Sequence, residues 1–360
     1  MNDELPLVLV TGASGFVASH VVAGLVAEQK YRVRGTVRSS TSETSKLLKE
    51  TFPDVELVEA DLSKDDGWKE AVAGCAYVHH VASPIITLDE EPDREKMIRL
   101  PVEGIERVFG ACVDAGTVKR VVLTGTSSAI SSGVLGNPGV AHDHVYTSDD
   151  WTDPESPKLP PYEIGKTLAE KAAWEFVKNL EDGKKFELVV TSPVVIYGPL
   201  ILNRASSSHE AVGVLLRRDF PAVPNVAAAF VDVRDVKKAH LIAMIKPEAA
   251  GKRYILCSDT VAMTEIAQVL AKEFNPQGYN VSVHRLPTFV LWFSKFFSQK
   301  AKVAYDYCGT FIRYDNSPMK NELGIEPIGI KESIIESAYS LIDKGIIPKK
   351  PGYRKQGAEE

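Results

Sequence analysis

Of the 12 tyrosines in the chain, only Tyr162 has a lysine four places further on, in the run Tyr162-Glu163-Ile164-Gly165-Lys166. On a helix that spacing puts both side chains on one face. A phenol with an unperturbed pKa of about 10 is a poor acid-base group near neutrality, but a neighbouring ammonium favours the phenolate and lowers that value. The pair has the make-up of a proton-transfer device, although a Tyr/Lys pair at this spacing is also an ordinary surface contact. A second candidate is the run from Val121 to Ala129, VVLTGTSSA, where an apolar strand-like segment enters four hydroxyls, Thr124, Thr126, Ser127 and Ser128. Ser and Thr at a strand end commonly bond the nearby backbone, so the cluster gains meaning only from what it meets in the fold.

A third group stands near the N-terminus. The apolar run Leu7 to Thr11 leads into Gly12-Ala13-Ser14-Gly15-Phe16-Val17-Ala18 and then a helical pattern. A glycine-bearing turn between strand and helix lets the backbone approach a pyrophosphate, and the helix N-terminus offers free N–H groups and a favourable dipole. Ala18, where a third glycine is common, still permits close packing of helix on strand. At the end of the second strand the chain reads Gly35-Thr36-Val37-Arg38-Ser39-Ser40, with no carboxylate to receive the ribose hydroxyls of NAD. Arg38 can instead pair with a 2′-phosphate, which a carboxylate would repel. The cofactor expected from these residues is NADP(H), with Lys46 as a possible second positive charge or else a surface helix residue.

These groups need elements to hold them. Candidate strands cover Leu7 to Thr11, Tyr31 to Val37, Val55 to Glu59, Tyr77 to His80, Val118 to Gly125 and Phe186 to Ser192, with helical patterns between them. Such alternation implies an α/β fold, a Rossmann-type doubly wound parallel sheet whose ligands lie beyond the carboxyl ends of the strands. The pattern loosens after Ser192, where Pro193, Pro199, Pro221 and Pro224 intervene. The expected organisation is a cofactor domain over 1–192, a smaller mixed substrate lobe over 193–345, and a polar tail over 346–360. The segment Ala228 to Ile245 regains a strand-then-helix look and is expected to return to the sheet.

At this point the residues resemble a known family. Thr11-Gly12-x-x-Gly15-x-x-Ala18, the hydroxyl cluster, Tyr162-x-x-x-Lys166 and Ser192-Pro193-x-x-x-x-Gly198-Pro199 resemble the extended short-chain dehydrogenase/reductases. TVRS at Thr36 to Ser39, LTGTSSA and TLAEKAAWEF are similar to the group of dihydroflavonol reductases, cinnamoyl-CoA reductases and yeast-type methylglyoxal (aldehyde) reductases. The resemblance implies an NADP-dependent oxidoreductase in which Tyr162 donates a proton to a carbonyl oxygen while the nicotinamide delivers hydride to the carbon. Lys166 would hold the nicotinamide ribose and lower the tyrosine pKa. Asp61, with Leu62 beside it, would approach the adenine, Val81, Ala82 and Ser83 would pass the ribose, and Pro193, Val195 and Ile196 would flank the nicotinamide. In members of the family the last residue of a hydroxyl triplet shares the substrate oxygen. Laid without gaps, the triplet is Thr124-Gly125-Thr126 and the role falls on Thr126; a turn one residue longer gives it to Ser127.

Composition bounds the rest. With 360 residues, 44% hydrophobic and 25% charged, the chain can bury a large core. A net charge of -6 argues against nucleic acid as a partner. The 4 cysteines have no paired or metal-type spacing, and the N-terminus lacks a secretory pattern, which leads to the expectation of a cytoplasmic protein. The apolar run Phe289 to Phe297 is broken by Lys295 and falls short of the ~20 residues of a spanning helix; it reads as a buried or lobe-packing helix, with an interfacial membrane contact as the alternative. His142 and His144 lack companion ligands, so no metal is expected. His79 and His80 read as packed, and Ile201, Leu202, His209, Phe220 and Phe230 are candidates for the substrate pocket. The expected partner is a small, hydrophobic carbonyl compound, and the expected assembly a monomer or homodimer. A 3-beta-hydroxysteroid dehydrogenase-type enzyme, a nucleotide-sugar epimerase and a non-catalytic NADP-sensing protein are the other readings. Arg38 argues against the epimerase, and the Tyr162–Lys166 register against the sensor.

Overall fold

The computed structural model describes residues 5–83, 93–132, 136–137, 140–141, 143–157, 159–297, 305 and 308–356. The first strand, β1 (Leu7–Val10), is wholly buried. Its side chains divide, Leu7 and Leu9 entering one core and Val8 and Val10 another. A strand covered on both faces needs this run of apolar residues, because successive side chains point to opposite sides. Strand and helix then alternate through α1 (Phe16–Glu28), β2 (Arg32–Val37), α2 (Glu43–Thr51), β3 (Glu56–Glu59), α3 (Trp68–Val72), β4 (Cys75–His80), α4 (Arg94–Ala115) and β5 (Arg120–Thr124). A short α5 (Ser128–Ser131), β6 (Val145–Tyr146), α6 (Pro161–Lys178) and β7 (Glu187–Pro193) follow.

The smaller half contains β8 (Val195–Tyr197), α7 (Ser207–Arg217), β9 (Ala227–Asp232), α8 (Val233–Ile245), β10 (Arg253–Leu256), β11 (Asp259–Ala262), α9 (Met263–Phe274), α10 (Thr288–Ser294) and β12 (Arg313–Tyr314). A long helix, Ile330–Asp343, lies near the end of the described chain. The main sheet has the order β10-β7-β5-β4-β1-β2-β3, and every pair in it is parallel. The strand order reverses between β1 and β4, which opens a crevice at their carboxyl ends. Helices α1 and α8 cover one face, through Val21, Leu25, Val236 and Ala239 among others. Helices α4 and α6 cover the other, through Ile105, Phe109, Ala169 and Ala173.

The chain does not divide simply after β7. Strand β10, at the edge of the main sheet beside β7, comes from within the 193–345 stretch expected to form the smaller lobe. The segment expected to return to the sheet does so by half. Helix α8 packs on the large sheet, whereas β9 joins a separate three-stranded sheet, antiparallel to β11 and parallel to β8. Around that mixed sheet a third core gathers Tyr197, Phe230, Phe274, Ile334 and Ala338. β6 and β12 form a two-stranded parallel ribbon.

The run Phe289 to Phe297 departs from expectation. Within it Leu291 is buried, but Phe289, Trp292, Phe293, Phe296 and Phe297 are exposed, so the segment is anchored by one side chain rather than buried. Its aromatics pack on each other at four-residue spacing, Trp292 on Phe296 and Phe293 on Phe297. Among the described residues no helix is long and apolar enough to cross a membrane.

One contact sets the height of α6. A Cβ placed on Gly165 would overlap the Met97 carbonyl oxygen and come 3.2 Å from the Ile98 Cα, both on α4. Only glycine allows this approach, because backbone cannot swing aside as a side chain can. Gly165→Ala is therefore expected to cost about 1–3 kcal/mol, read as a lowered melting temperature, and to reduce activity by tilting the helix. An unchanged melting temperature would show that the two helices separate freely.

Candidate active site

The crevice at the carboxyl ends of the strands opens into a cleft of about 1330 Å³. Its floor begins at the turn after β1. Thr11, fully buried, places the neighbouring segment: its Oγ accepts the backbone N–H groups of Val81 and Ala82 at 3.0 and 2.9 Å and hydrogen-bonds His80 Nδ1 at 3.0 Å. Gly12 follows with φ +63°, and a Cβ there would lie 3.1 Å from the Ala82 Cβ. Its N–H donates to Thr36 Oγ at 2.9 Å. Gly15 caps α1, so the first N–H groups of that helix face the cleft together with Ser14, Phe16 and Val17. A left-handed glycine, a close backbone approach and a helix N-terminus are what a dinucleotide pyrophosphate requires, and these residues fit one.

Arg38, Asp61, Leu62 and Arg204 line the cleft, with Arg204 close enough to Arg38 to feel its charge. Burial alone would push the Asp61 carboxyl up, but hydrogen bonds from Ser63 and the charges of Arg38 and Lys64 outweigh it and hold the group below its usual range. Asp61 thus caps a turn, with Oδ1 accepting from Ser63 N and Oγ at 2.9 and 2.8 Å, and also lines the cleft. Arg204 is pushed down by burial and by the nearby Arg38. It lies in an irregular stretch beyond Pro199, and nothing periodic in the sequence signals it. Lys46 is exposed on α2 and does not line the cleft, which corrects its placement as a second cofactor charge.

The hydroxyls gather at the end of β5. Gly125 N–H donates to the Thr191 carbonyl at 2.8 Å and Ser127 N–H to the Pro193 carbonyl at 3.0 Å, so the segment after β5 is laced to β7. Thr124 Oγ hydrogen-bonds the buried His240 at 3.0 Å. His240 also meets His79, Nδ1 to Nδ1 at 3.2 Å, and burial lowers both imidazoles, His240 to about 3. Both stay neutral parts of the packing beneath the cleft. Thr126 faces the phenol of Tyr162. Ser127 instead faces Tyr314, whose hydroxyl lies 2.6 Å from Ser131 Oγ and which burial pushes up to about 12. Ser128 is buried at the start of α5.

Tyr162 sits in the first turn of α6, after Pro160 and Pro161, and is 48% exposed into the cleft. Although nearly half of the residue's surface opens to the cleft, enough protein surrounds the phenol for desolvation, together with Glu163, to raise it above the ordinary value, against a smaller lowering by Thr126. Lys166, one turn on, is lowered by burial and raised by Glu170. The expected depression of the phenol by Lys166 is not seen: Lys166 is not among the influences on the phenol, which is raised rather than lowered. Desolvation penalises whichever form is charged, and it outweighs the one partner the phenol has.

Pro193, Val195, Ile196, Val81, Ala82 and Ser83 also line the cleft. The five pocket candidates do not. Leu202, His209 and Phe230 are buried in the packing, Ile201 packs against the core, and Phe220 lies exposed elsewhere. His209 meets Phe16 edge-on at 4.5 Å and hydrogen-bonds the Gly198 carbonyl at 3.0 Å. The smaller half instead supplies Ala227, Ala228, Ala229, Met263, Ile312 and Tyr314. Sequence patterning could not single these out, because small residues on a strand and isolated aliphatics carry no chemical signature. His142 lies outside the described residues; His144 pairs with Asp150 at 3.2 Å.

The model of the NAD dependent epimerase/dehydratase family matches residues 8–257. The chain belongs to the NAD dependent epimerase/dehydratase family. Within this family it is similar to Cinnamoyl-CoA reductase 1 of Petunia hybrida, 32% identical over 347 residues that cover 95% of this chain and 94% of that protein. It is also similar to Anthocyanidin reductase of Arabidopsis thaliana, 32% identical over 289 residues, 76% of this chain and 81% of that protein. Among solved structures, yeast methylglyoxal/isovaleraldehyde reductase Gre2 complexed with NADPH superposes with a TM-score of 0.77 at 28% identity, covering 95% of this chain and 100% of that one. The epimerase/dehydratase family member described here is thus an extended short-chain dehydrogenase/reductase related to cinnamoyl-CoA reductases and Gre2-like reductases, with oxidoreductase chemistry and an NAD(P)H cofactor.

The two hydroxyl neighbourhoods separate Thr126 from Ser127. Were Thr126 the hydroxyl on the substrate oxygen, as the resemblance implies, Thr126→Ala would lower kcat on the order of 10²-fold, the usual cost of removing one donor to a developing oxyanion. Ser127→Ala removes a neutral hydrogen bond away from Tyr162 and is expected to cost less than about tenfold. Steady-state kinetics on both variants reads the difference, and equal losses would move the site away from Thr126.

Proposed function

We propose that the protein is an NADPH-dependent reductase of aldehydes or ketones, with Tyr162 as the proton donor and Thr126 as the second hydroxyl on the substrate oxygen. The observation that carries this reading is that Thr126, Tyr162 and Lys166 line one cleft at the carboxyl end of β5, with Lys166 one turn beyond Tyr162 on α6. A phenol raised by burial is fully protonated near neutrality and can donate. When bound, the nicotinamide supplies hydride to the carbonyl carbon. Tyr162 then gives its proton to the oxygen as negative charge develops there, which completes the alcohol. Thr126 orients the same oxygen, and Lys166, positively charged, stabilises the tyrosinate left behind until solvent reprotonates it.

Arg38 at the end of β2, with Arg204 nearby on the cleft, supports NADPH over NADH. A guanidinium pairs with a 2′-phosphate, and the ribose-binding carboxylate of NAD sites is missing at this position. Alanines and aliphatics on the far wall suit a hydrophobic substrate. The yeast relative is called a methylglyoxal/isovaleraldehyde reductase and the plant relatives are named as reductases, which favours a carbonyl compound here. The four cysteines are free and fit a reducing compartment, for which we take the cytoplasm.

A panel of aldehydes, ketones and secondary alcohols followed by NADPH absorbance tests the reaction. Tyr162→Phe is expected to lower kcat by roughly 10²- to 10⁴-fold while NADPH binding, measured by fluorescence, stays within a few-fold. Retained turnover on every accepted substrate would sink the mechanism. Arg38→Ser is expected to weaken NADPH binding by roughly 10- to 100-fold, the value of one charge-assisted contact, and to leave NADH binding nearly unchanged. A parent enzyme that prefers NADH would remove Arg38 from its role.

A further inference from the structure

Helix α6 carries a third chemical group in line with Tyr162 and Lys166. Glu170 follows Lys166 by four residues, as Lys166 follows Tyr162, so all three share one helix face. Glu170 is buried, with 2% of its surface exposed, and a glutamate goes that deep only with a partner. Its Oε1 accepts from Arg253 Nε at 2.6 Å and from the Trp174 indole at 3.3 Å. Arg253 belongs to β10, stacks 3.7 Å over the Trp151 ring, and donates to the Asp150 carbonyl at 3.0 Å. One oxygen of Glu170 is therefore held rigidly.

The other oxygen, Oε2, is buried and has no hydrogen-bond partner in the protein. Its position is made possible by Gly125. A Cβ on that residue would lie 3.3 Å from Glu170 Oε2 and 3.0 Å from Ser192 Oγ, a second buried group without a partner. Beside it is a small cavity of about 20 Å³, bounded by Lys166, Glu170, Thr124, Gly125 and His80 among others. That is room for a single water with polar partners on several sides. The residue with the free carboxylate oxygen and the site lysine thus border the same small, partly open recess, which shares Ala82, Ser83, Thr124 and Gly125 with the main cleft.

The remaining groups around Lys166 do not supply the missing negative charge. On its own helix, Tyr162 is a neutral phenol, and Glu163 acts on that phenol and is not among the influences on Lys166. From β4, His80 is lowered to about 3 by burial and by Lys166 itself, so it is neutral. From α4 the wall is apolar, with Pro101 and Ile105. Arg253, beyond Glu170, is positive and opposes an ammonium. Burial acts in the same direction, and Glu170 is the influence that raises Lys166.

We propose that Glu170 is a positioning residue of the site: its free carboxylate oxygen, admitted by the missing side chain of Gly125 and braced by Arg253, keeps Lys166 an ammonium in register with Tyr162. The proposal rests on the reading of Lys166 as the site lysine, but it concerns the free protein and is tested there. The probe is the 13Cε resonance of Lys166 in lysine-labelled protein, assigned with Lys166→Arg and followed as a function of pH.

Glu170→Gln keeps the shape and a hydrogen bond to Arg253 while removing the charge. Its Lys166 midpoint is expected to fall by about 1 unit or more, the usual loss when an opposite charge is withdrawn. An ammonium with a lowered pKa is lost at lower pH, so the alkaline limb of kcat/KM should move down by the same amount. An unchanged or raised midpoint would overturn the proposal. If Glu170→Gln is too unstable to isolate, Glu170→Asp withdraws the charge by one methylene: a smaller fall supports the proposal, and no change overturns it. Failure of the proton-transfer reading shows separately, as turnover retained by Tyr162→Phe with the Lys166 midpoint still dependent on Glu170.

Discussion

Helix α6 can lie against the backbone of α4 because Gly165 has no side chain, and its Cβ position is already taken by the Met97 carbonyl. Tyr162 and Lys166 flank that glycine within one turn, so the contact fixes how far both project over the end of β5. The two helices share the core under Phe109, Ala169 and Ala173, where lateral freedom is lost to close packing. Gly125 works in the same way from the strand side. Its bare Cα leaves space for Val190, Ser192 and Glu170, and so lets β5, β7 and α6 meet at one point. Two glycines, each required by a neighbour rather than by its own backbone angles, set the geometry of the hydroxyl end.

The electrostatics of the cleft turn on what counters burial. Around Tyr162 and Lys166 burial dominates, raising the phenol and lowering the ammonium, so both groups lean toward neutral forms. The countering influence on each comes from one residue: Thr126 for the phenol and the charge of Glu170 for the lysine. Around Arg38 burial is also the largest single influence, but hydrogen bonds from Ser63 together with the charges of Arg38 and Lys64 outweigh it at Asp61, while Arg204 is lowered by burial and by its like neighbour.

The smaller half is built by repeated crossings rather than by a clean break. The chain leaves the large sheet at β7, contributes β8 and β9 to the mixed sheet, returns with α8, and places β10 at the sheet edge before leaving again. The aliphatic wall of the cleft comes from these excursions, as do Tyr314 and Arg204. Such a wall can change its residues without disturbing the strand ends that hold the hydroxyls.

From the sequence alone came the parallel sheet, the glycine turn after β1, Arg38 at the end of β2 and the Tyr162–Lys166 pair. These are local signals, since period, turn chemistry and four-residue spacing are properties of short stretches of chain. The apolar alternation of Leu7 to Val10 needs no knowledge of what covers it. Tertiary structure alone decided the rest. Lys46 lies off the cleft and Arg204 on it because loop paths depend on packing far away in the sequence. Phe289 to Phe297 reads as core by composition, yet only Leu291 found a place inside. Thr126 and Ser127 are adjacent and chemically alike, and no pattern distinguishes them; their partners, Tyr162 for one and Tyr314 for the other, come from distant elements. Glu170 is an ordinary helix glutamate in the sequence and becomes a buried counter-charge only where β10 brings Arg253 to meet it.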